Sequence, residues 1–109
     1  MKDTIELGPQ GEPLFRPSQV NPYRILAEAY WLAAQSGLSG WTITLDDDPV
    51  LAGSCTHETR TITLSKRWMY SWDYARDTVL HEIAHALQLN HHGVAHESVL
   101  ADIKRRFPN

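Results

Sequence analysis

Apolar positions fall into two rhythms along this chain, one helical and one alternating. After Asn21-Pro22, residues Tyr23, Leu26, Ala27, Tyr30, Trp31 and Ala34 recur at helical spacing, and Gly37 supplies a stop. This predicts a first helix. Trp41-Thr42-Ile43-Thr44-Leu45 alternates large apolar residues with threonine, which predicts a half-buried strand ended by Asp46-Asp47-Asp48-Pro49. A second strand is expected around Ala52–His57 and a third over Thr61-Ile62-Thr63-Leu64, with Glu58-Thr59-Arg60 as the turn between them. Together they predict a small antiparallel sheet. Lys66–Asp73, rich in aromatics and without a period, reads as an irregular connection or short helix packing its rings on the core. A long helix follows from Trp72 or Asp73 to Leu89, with Asp73 and Asp77 near its positive end. Asn90-His91-His92-Gly93 breaks it. The last helix covers Ala95–Phe107 and aligns Val99, Leu100, Ile103 and Phe107 on one stripe, closed by Pro108.

These elements define the fold class as α+β. Residues 1–19 contain Gly8-Pro9, Gly11, Pro13 and Pro17, which break any period, so they read as a surface arm. The remainder, 20–109, is read as one domain, because 109 residues suffice for a single core. The formal charge of -3 gives no electrostatic reason to expect nucleic acid. The basic run Lys104-Arg105-Arg106 suits a helix C-terminus. A single cysteine, Cys55, excludes an internal disulfide and a four-thiolate zinc ribbon, and reads as a small buried hydrophobe. Met1–Glu6 lacks the apolar run of a signal peptide and no stretch is long enough to span a membrane, so a cytoplasmic monomer is expected.

The chemistry concentrates in His81-Glu82-Ile83-Ala84-His85. Two histidines four apart on a helix stand on one face, one turn above the other, where both imidazoles reach one ion. Zinc held there by bonds of about 2.0–2.1 Å lowers the pKa of its water to roughly 7. Glu82, angularly adjacent to His81, is placed to take the proton of that water as general base without ligating the metal. The flanking Val79, Leu80, Ile83 and Leu87 are apolar, as a buried active-site helix requires. The pattern H-E-x-x-H therefore predicts a zinc-dependent peptidase acting on protein or peptide substrates.

A catalytic site of this kind needs a third protein ligand. His91 gives the H-E-x-x-H-x5-H spacing, but Gln88 stands where that pattern has glycine, and no Met-turn follows. Glu97 is separated from His85 by fewer residues than acidic third ligands usually are. His96 shares the apolar stripe of the last helix and is the first choice; His92, beside Gly93, is the second. Several neighbours have secondary roles. Tyr70, Trp72 and Tyr74 are read as core packing, His57 as a solvent-facing strand residue, and Asp77 either as a partner of the His81 ring or as a helix-dipole residue.

An ordered set of segments resembles the SprT-like metallopeptidase family. These are Gly40–Asp46, Ala52-Gly53-Ser54-Cys55, Thr61–Ser65 and Asp77–Leu87. The resemblance runs from about Tyr23 to Phe107. It implies a minimal zincin-like fold with a leading helix, a small sheet, an active-site helix and a closing helix that begins at the third histidine. His96-Glu97-Ser98-Val99-Leu100 is similar to that start, with Leu100 at an aromatic position. His92-Gly93-Val94-Ala95-His96 is similar to its glycine version, so both histidines stay open as ligands. Many relatives add a C-terminal zinc ribbon or DNA-binding segment, for which this sequence shows no counterpart. Two rival readings follow from the histidines: a metal-dependent endoribonuclease using His81, His85 and His91, and a non-catalytic zinc-stabilised binding module.

Overall fold

A computed structural model describes residues 20–88 and 96–108. The proposed arm at 1–19 and the candidate ligands His91 and His92 lie outside the described residues. The order is α1 (Pro22–Gln35), β1 (Thr42–Asp46), β2 (Gly53–Thr56), β3 (Thr61–Ser65), a single 3-10 turn (Lys66–Trp68), α2 (Trp72–Gln88) and α3 (His96–Arg106). This is an α+β arrangement with an N-terminal helix, a three-stranded sheet, a central helix and a C-terminal helix.

Helix α1 begins where Asn21 Oδ1 accepts the Tyr23 N–H at 2.9 Å and Pro22 presets the first helical φ. It ends in a Schellman closure: Leu38 N–H returns to Ala33 O at 2.8 Å and Gly37 N–H to Ala34 O at 3.2 Å, with Gly37 at φ 85°. The buried face differs from the stripe that predicted the helix. Ile25, Ala29, Leu32 and Ala33 are buried, whereas Tyr23, Tyr30 and Trp31 are exposed. The aromatic bodies flank the interface and use their edges. The Tyr30 hydroxyl donates to Ile43 O at 3.0 Å and accepts from Ile43 N–H at 2.9 Å, tying α1 to β1.

The sheet is mixed, in the order β1-β3-β2, and so corrects the expectation of an all-antiparallel one. β2 and β3 form a hairpin through Glu58–Arg60, where Arg60 takes φ 51° and its N–H bonds His57 O at 3.2 Å. β1 joins the other edge of β3 in parallel, matching Ile43 with Ile62 and Leu45 with Leu64. Alternation along a strand specifies which side chains face inward but is blind to strand direction, which is why the parallel pair was not legible.

Ile43, Ile62 and Leu64 meet Val79, Leu80 and Ile83 of α2 and Ile25 and Leu32 of α1 in one core. Full burial of side chains this size stabilises by about 1.5–3 kcal/mol each, so α2 is fixed on its inner face. The three helices are also joined by Arg76. Its Nε donates to Glu28 Oε2 at 2.9 Å, and Nη1 donates to Phe107 O at 2.9 Å. The basic end of α3 is structural as well: Lys104 pairs with Asp77, Arg105 with Asp102, and Arg106 bonds Gln35 O. No helix among the described residues is long and apolar enough to cross a membrane.

Candidate metal centre on helix α2

One side of α2 is committed to the core, and the side turned toward β2 carries the chemistry. Val79, Leu80, Ile83 and Ala84 are buried in the interior. Thr78 and Glu82 face β2 at Gly53. A Cβ at Gly53 would stand 3.0 Å from Glu82 Cγ, 3.0 Å from Glu82 Oε2 and 3.0 Å from Thr78 Cγ2. The close approach of strand to helix is tight here, and a side chain at this position would have to push the Glu82 and Thr78 side chains aside.

Glu82 is 8% exposed, and among the described residues it makes no hydrogen bond or ion pair. Burial pushes its carboxyl up to about 7. Cys55 lies half-buried on β2 against the core, in line with its reading as a small hydrophobe. Burial, and then the nearby Glu82 charge, push its thiol up to about 11.

The structure brings His81, His85 and His96 together. The His85 and His96 rings stack at 3.9 Å between centroids with 20° between planes, and His81 lies 5.7 Å from His96. His96 Nε2 is 3.4 Å from His81 O. Burial, then the charges of His96, His81 and His57, hold His85 below the ordinary histidine value, which favours the neutral ring that a metal requires. The other candidate that can be located, Glu97, sits in the first turn of α3 and is exposed.

Two residues around this cluster acquire roles from the geometry. Asp77 Oδ2 lies 3.4 Å from His81 Nε2, and Asp77 Oδ1 pairs with Lys104 Nζ at 2.8 Å. Asp77 therefore faces the His81 ring and links it to α3, the first of the two roles its position suggested. His57, expected to face solvent, instead places Nε2 2.9 Å from His85 O and its ring edge-on to Trp41 at 5.8 Å. It joins the end of β2 to the backbone of α2. Spacing along the sequence held no signal for this contact, because His57 and His85 are 28 residues apart.

The aromatic segment before α2 also departs from its expected packing. Trp72 does pack on the core, but Tyr70 and Tyr74 stack on each other at 5.7 Å and Tyr74 is exposed. A groove of about 620 Å³ runs along Leu87, Val99, Asp102, Ile103 and Arg106, and contains none of the candidate site residues.

The donor set suits zinc in type: three imidazoles cluster near a buried carboxylate that no cation among the described residues neutralises. Its orientation is not that of a filled site. Among the described residues no three His, Cys, Asp or Glu side chains are already arranged to hold one ion. Stacked rings cannot both present a nitrogen to a common point. For His85 and His96 to share one ion, one ring would have to turn out of the stack.

The model of the SprT-like family matches residues 38–108. The chain belongs to the SprT-like family. The matched span begins just after α1 and takes in the sheet, α2 and α3, so the family region and the histidine cluster coincide. Membership makes this a metallopeptidase-like domain of a kind associated with zinc. No curated protein matches the chain.

Proposed function

We propose that this SprT-like chain is a zinc-dependent endopeptidase in which His81, His85 and His96 hold the metal and Glu82 is the general base. The observation that carries the reading is the buried, unpaired Glu82 carboxylate one residue from His81, beside three imidazoles supplied by two helices. A buried carboxylate without a partner costs stability, and a charge in that position is most readily explained by chemistry.

When bound, zinc supplies Lewis acidity toward water and a peptide carbonyl. The chain's own residues do the rest. His85 is held neutral and offers a lone pair. Asp77 faces the His81 ring 3.4 Å from its Nε2, with Lys104 holding Asp77 in place. His57 braces the α2 backbone at His85. Glu82 takes a proton from the attacking water and returns it to the departing amine, its carboxylate lying close against Gly53 of β2. The outer edge of β2 has no strand beside it among the described residues, and an extended peptide can pair there as an added strand.

Zinc titration and casein cleavage, run on the wild type and on single alanine variants of His81, His85, His96 and His92, test the assignment. Loss of zinc and of cleavage together in the first three, with His92→Ala unaffected, is the expected result. Zinc loss in His92→Ala with full retention in His96→Ala would move the third ligand to His92.

A further inference from the structure

The site has a built apolar end. The loop after β1 is organised by Asp48, whose Oδ1 accepts the Val50 N–H at 2.7 Å and the Leu51 N–H at 2.9 Å. Those backbone bonds hold the Asp48 carboxyl below the usual range. Asp48 O in turn accepts from Ser65 Oγ at 2.8 Å and Trp68 Nε1 at 3.2 Å. The loop is thus pinned from below, and it presents its apolar side chains outward: Val50 is 76% exposed and Leu51 53%. The loop thus holds two large aliphatic side chains in fixed, exposed positions.

An aromatic row leads from the same anchor to α2. Trp68 contacts Tyr70 at 5.8 Å, and Tyr70 stacks on Tyr74, which is 43% exposed. Tyr74 O accepts from Thr78 Oγ1 one turn along, and Thr78 is the residue that meets Gly53 beside Glu82. Val50 and Leu51 precede Gly53 by three and two residues in the chain. The aromatic row thus reaches α2 two turns before Glu82, while Thr78, one turn before Glu82, meets the Gly53 end of β2, into which the loop carrying Val50 and Leu51 leads.

We infer that Val50, Leu51, Tyr70 and Tyr74 form a specificity subsite that accepts a large aliphatic or aromatic side chain of an extended peptide lying along β2. This rests on the peptidase reading, because the occupant is the same strand that would pass Glu82. The loop enters β2 at its Gly53 end, so the apolar residue of the peptide falls on one side of the scissile bond only. Of the acidic residues in the loop, Asp48 is engaged by its own backbone and Asp47 pairs with Lys66.

The test maps the cleavage sites of the zinc-loaded wild type in unfolded casein by mass spectrometry. A matched pair of extended casein peptides, centred on a mapped site or, where casein is not cut, on a fixed apolar segment, differs by Leu against Ser at one position. The wild type should prefer the leucine peptide by about tenfold in kcat/KM, the scale of one apolar side chain in a partly open pocket. The ratio should collapse toward one in the Val50→Ser/Leu51→Ser double variant and, independently, in Tyr74→Ser on the helix. Fluorescence anisotropy of the same labelled peptides on Glu82→Gln reads binding without turnover and should show the same preference. Cleavage with no positional preference, or a ratio that survives both variants, overturns the subsite. Leucine-selective binding to Glu82→Gln with no cleavage by wild type upholds the subsite and overturns the peptidase reading. Absence of both binding and cleavage overturns the two together.

Discussion

Arg76 and Glu82 stand on the same helix, six residues apart and almost equally buried at 7% and 8% exposure, yet they meet opposite surroundings. The Arg76 guanidinium is met by the Glu28 carboxylate and the Phe107 carbonyl, which joins α1, α2 and α3. The Glu82 carboxylate faces Gly53 and has no hydrogen bond or ion pair among the described residues. A charge that is buried and answered is architecture; one that is buried and left open costs the fold and signals a use. Burial alone does not separate the two. The partner list does.

The contrast can be broken from the architectural side first. Arg76→Ala strands Glu28 and the end of α3, and should cost about 3 kcal/mol in urea unfolding, at the lower end for a buried pair because Glu28 keeps some solvent. Glu82→Gln should unfold at the same urea concentration as wild type or a higher one, since it removes an unanswered charge. Equal destabilisation by both substitutions would erase the distinction.

Cys55 reports the same pocket from the strand side. With its thiol pushed up to about 11, the folded protein holds the proton that the unfolded chain releases nearer the ordinary value of 9.0. The Cys55 contribution to stability is therefore constant below pH 9 and declines as pH rises from there through about 11. At pH 8, alkylation of the native protein should run roughly a hundredfold slower than in urea, following the thiolate fraction. Glu82→Gln should speed it, because the Glu82 charge is the second cause of the shift. An unchanged rate would separate Cys55 from Glu82.

Gly53→Ala sharpens the comparison further. The added methyl must displace Glu82, not Arg76, so cleavage should fall about tenfold while the urea midpoint moves little. The smallest effect belongs to a feature remote from both charges. Asn21→Ala removes the cap of α1 and should cost about 1 kcal/mol with zinc affinity unchanged.

Periodicity located every described helix and strand, because burial on one face leaves a trace in each segment separately. It erred where a decision depended on two segments at once. In α1 the stripe through Tyr23, Tyr30 and Trp31 was as periodic as the buried Ile25, Ala29, Leu32 and Ala33, and only the partner surface selects between them. The parallel pairing of β1 with β3 is likewise a relation between strands. His81, Glu82 and His85 were legible as a motif, since one helical turn carries their geometry. The stack of His96 on His85, the brace from His57 and the close approach of Gly53 come from other elements and leave no mark on the spacing.

The central claim is that Glu82 performs chemistry rather than supporting the fold. The direct measurement is the kcat for a casein-derived peptide in Glu82→Gln beside wild type, with bound zinc quantified in both samples. The account predicts equal zinc, equal or greater stability and a loss of about a hundredfold or more in kcat, the scale of a general base. Full activity in Glu82→Gln with zinc bound would contradict it.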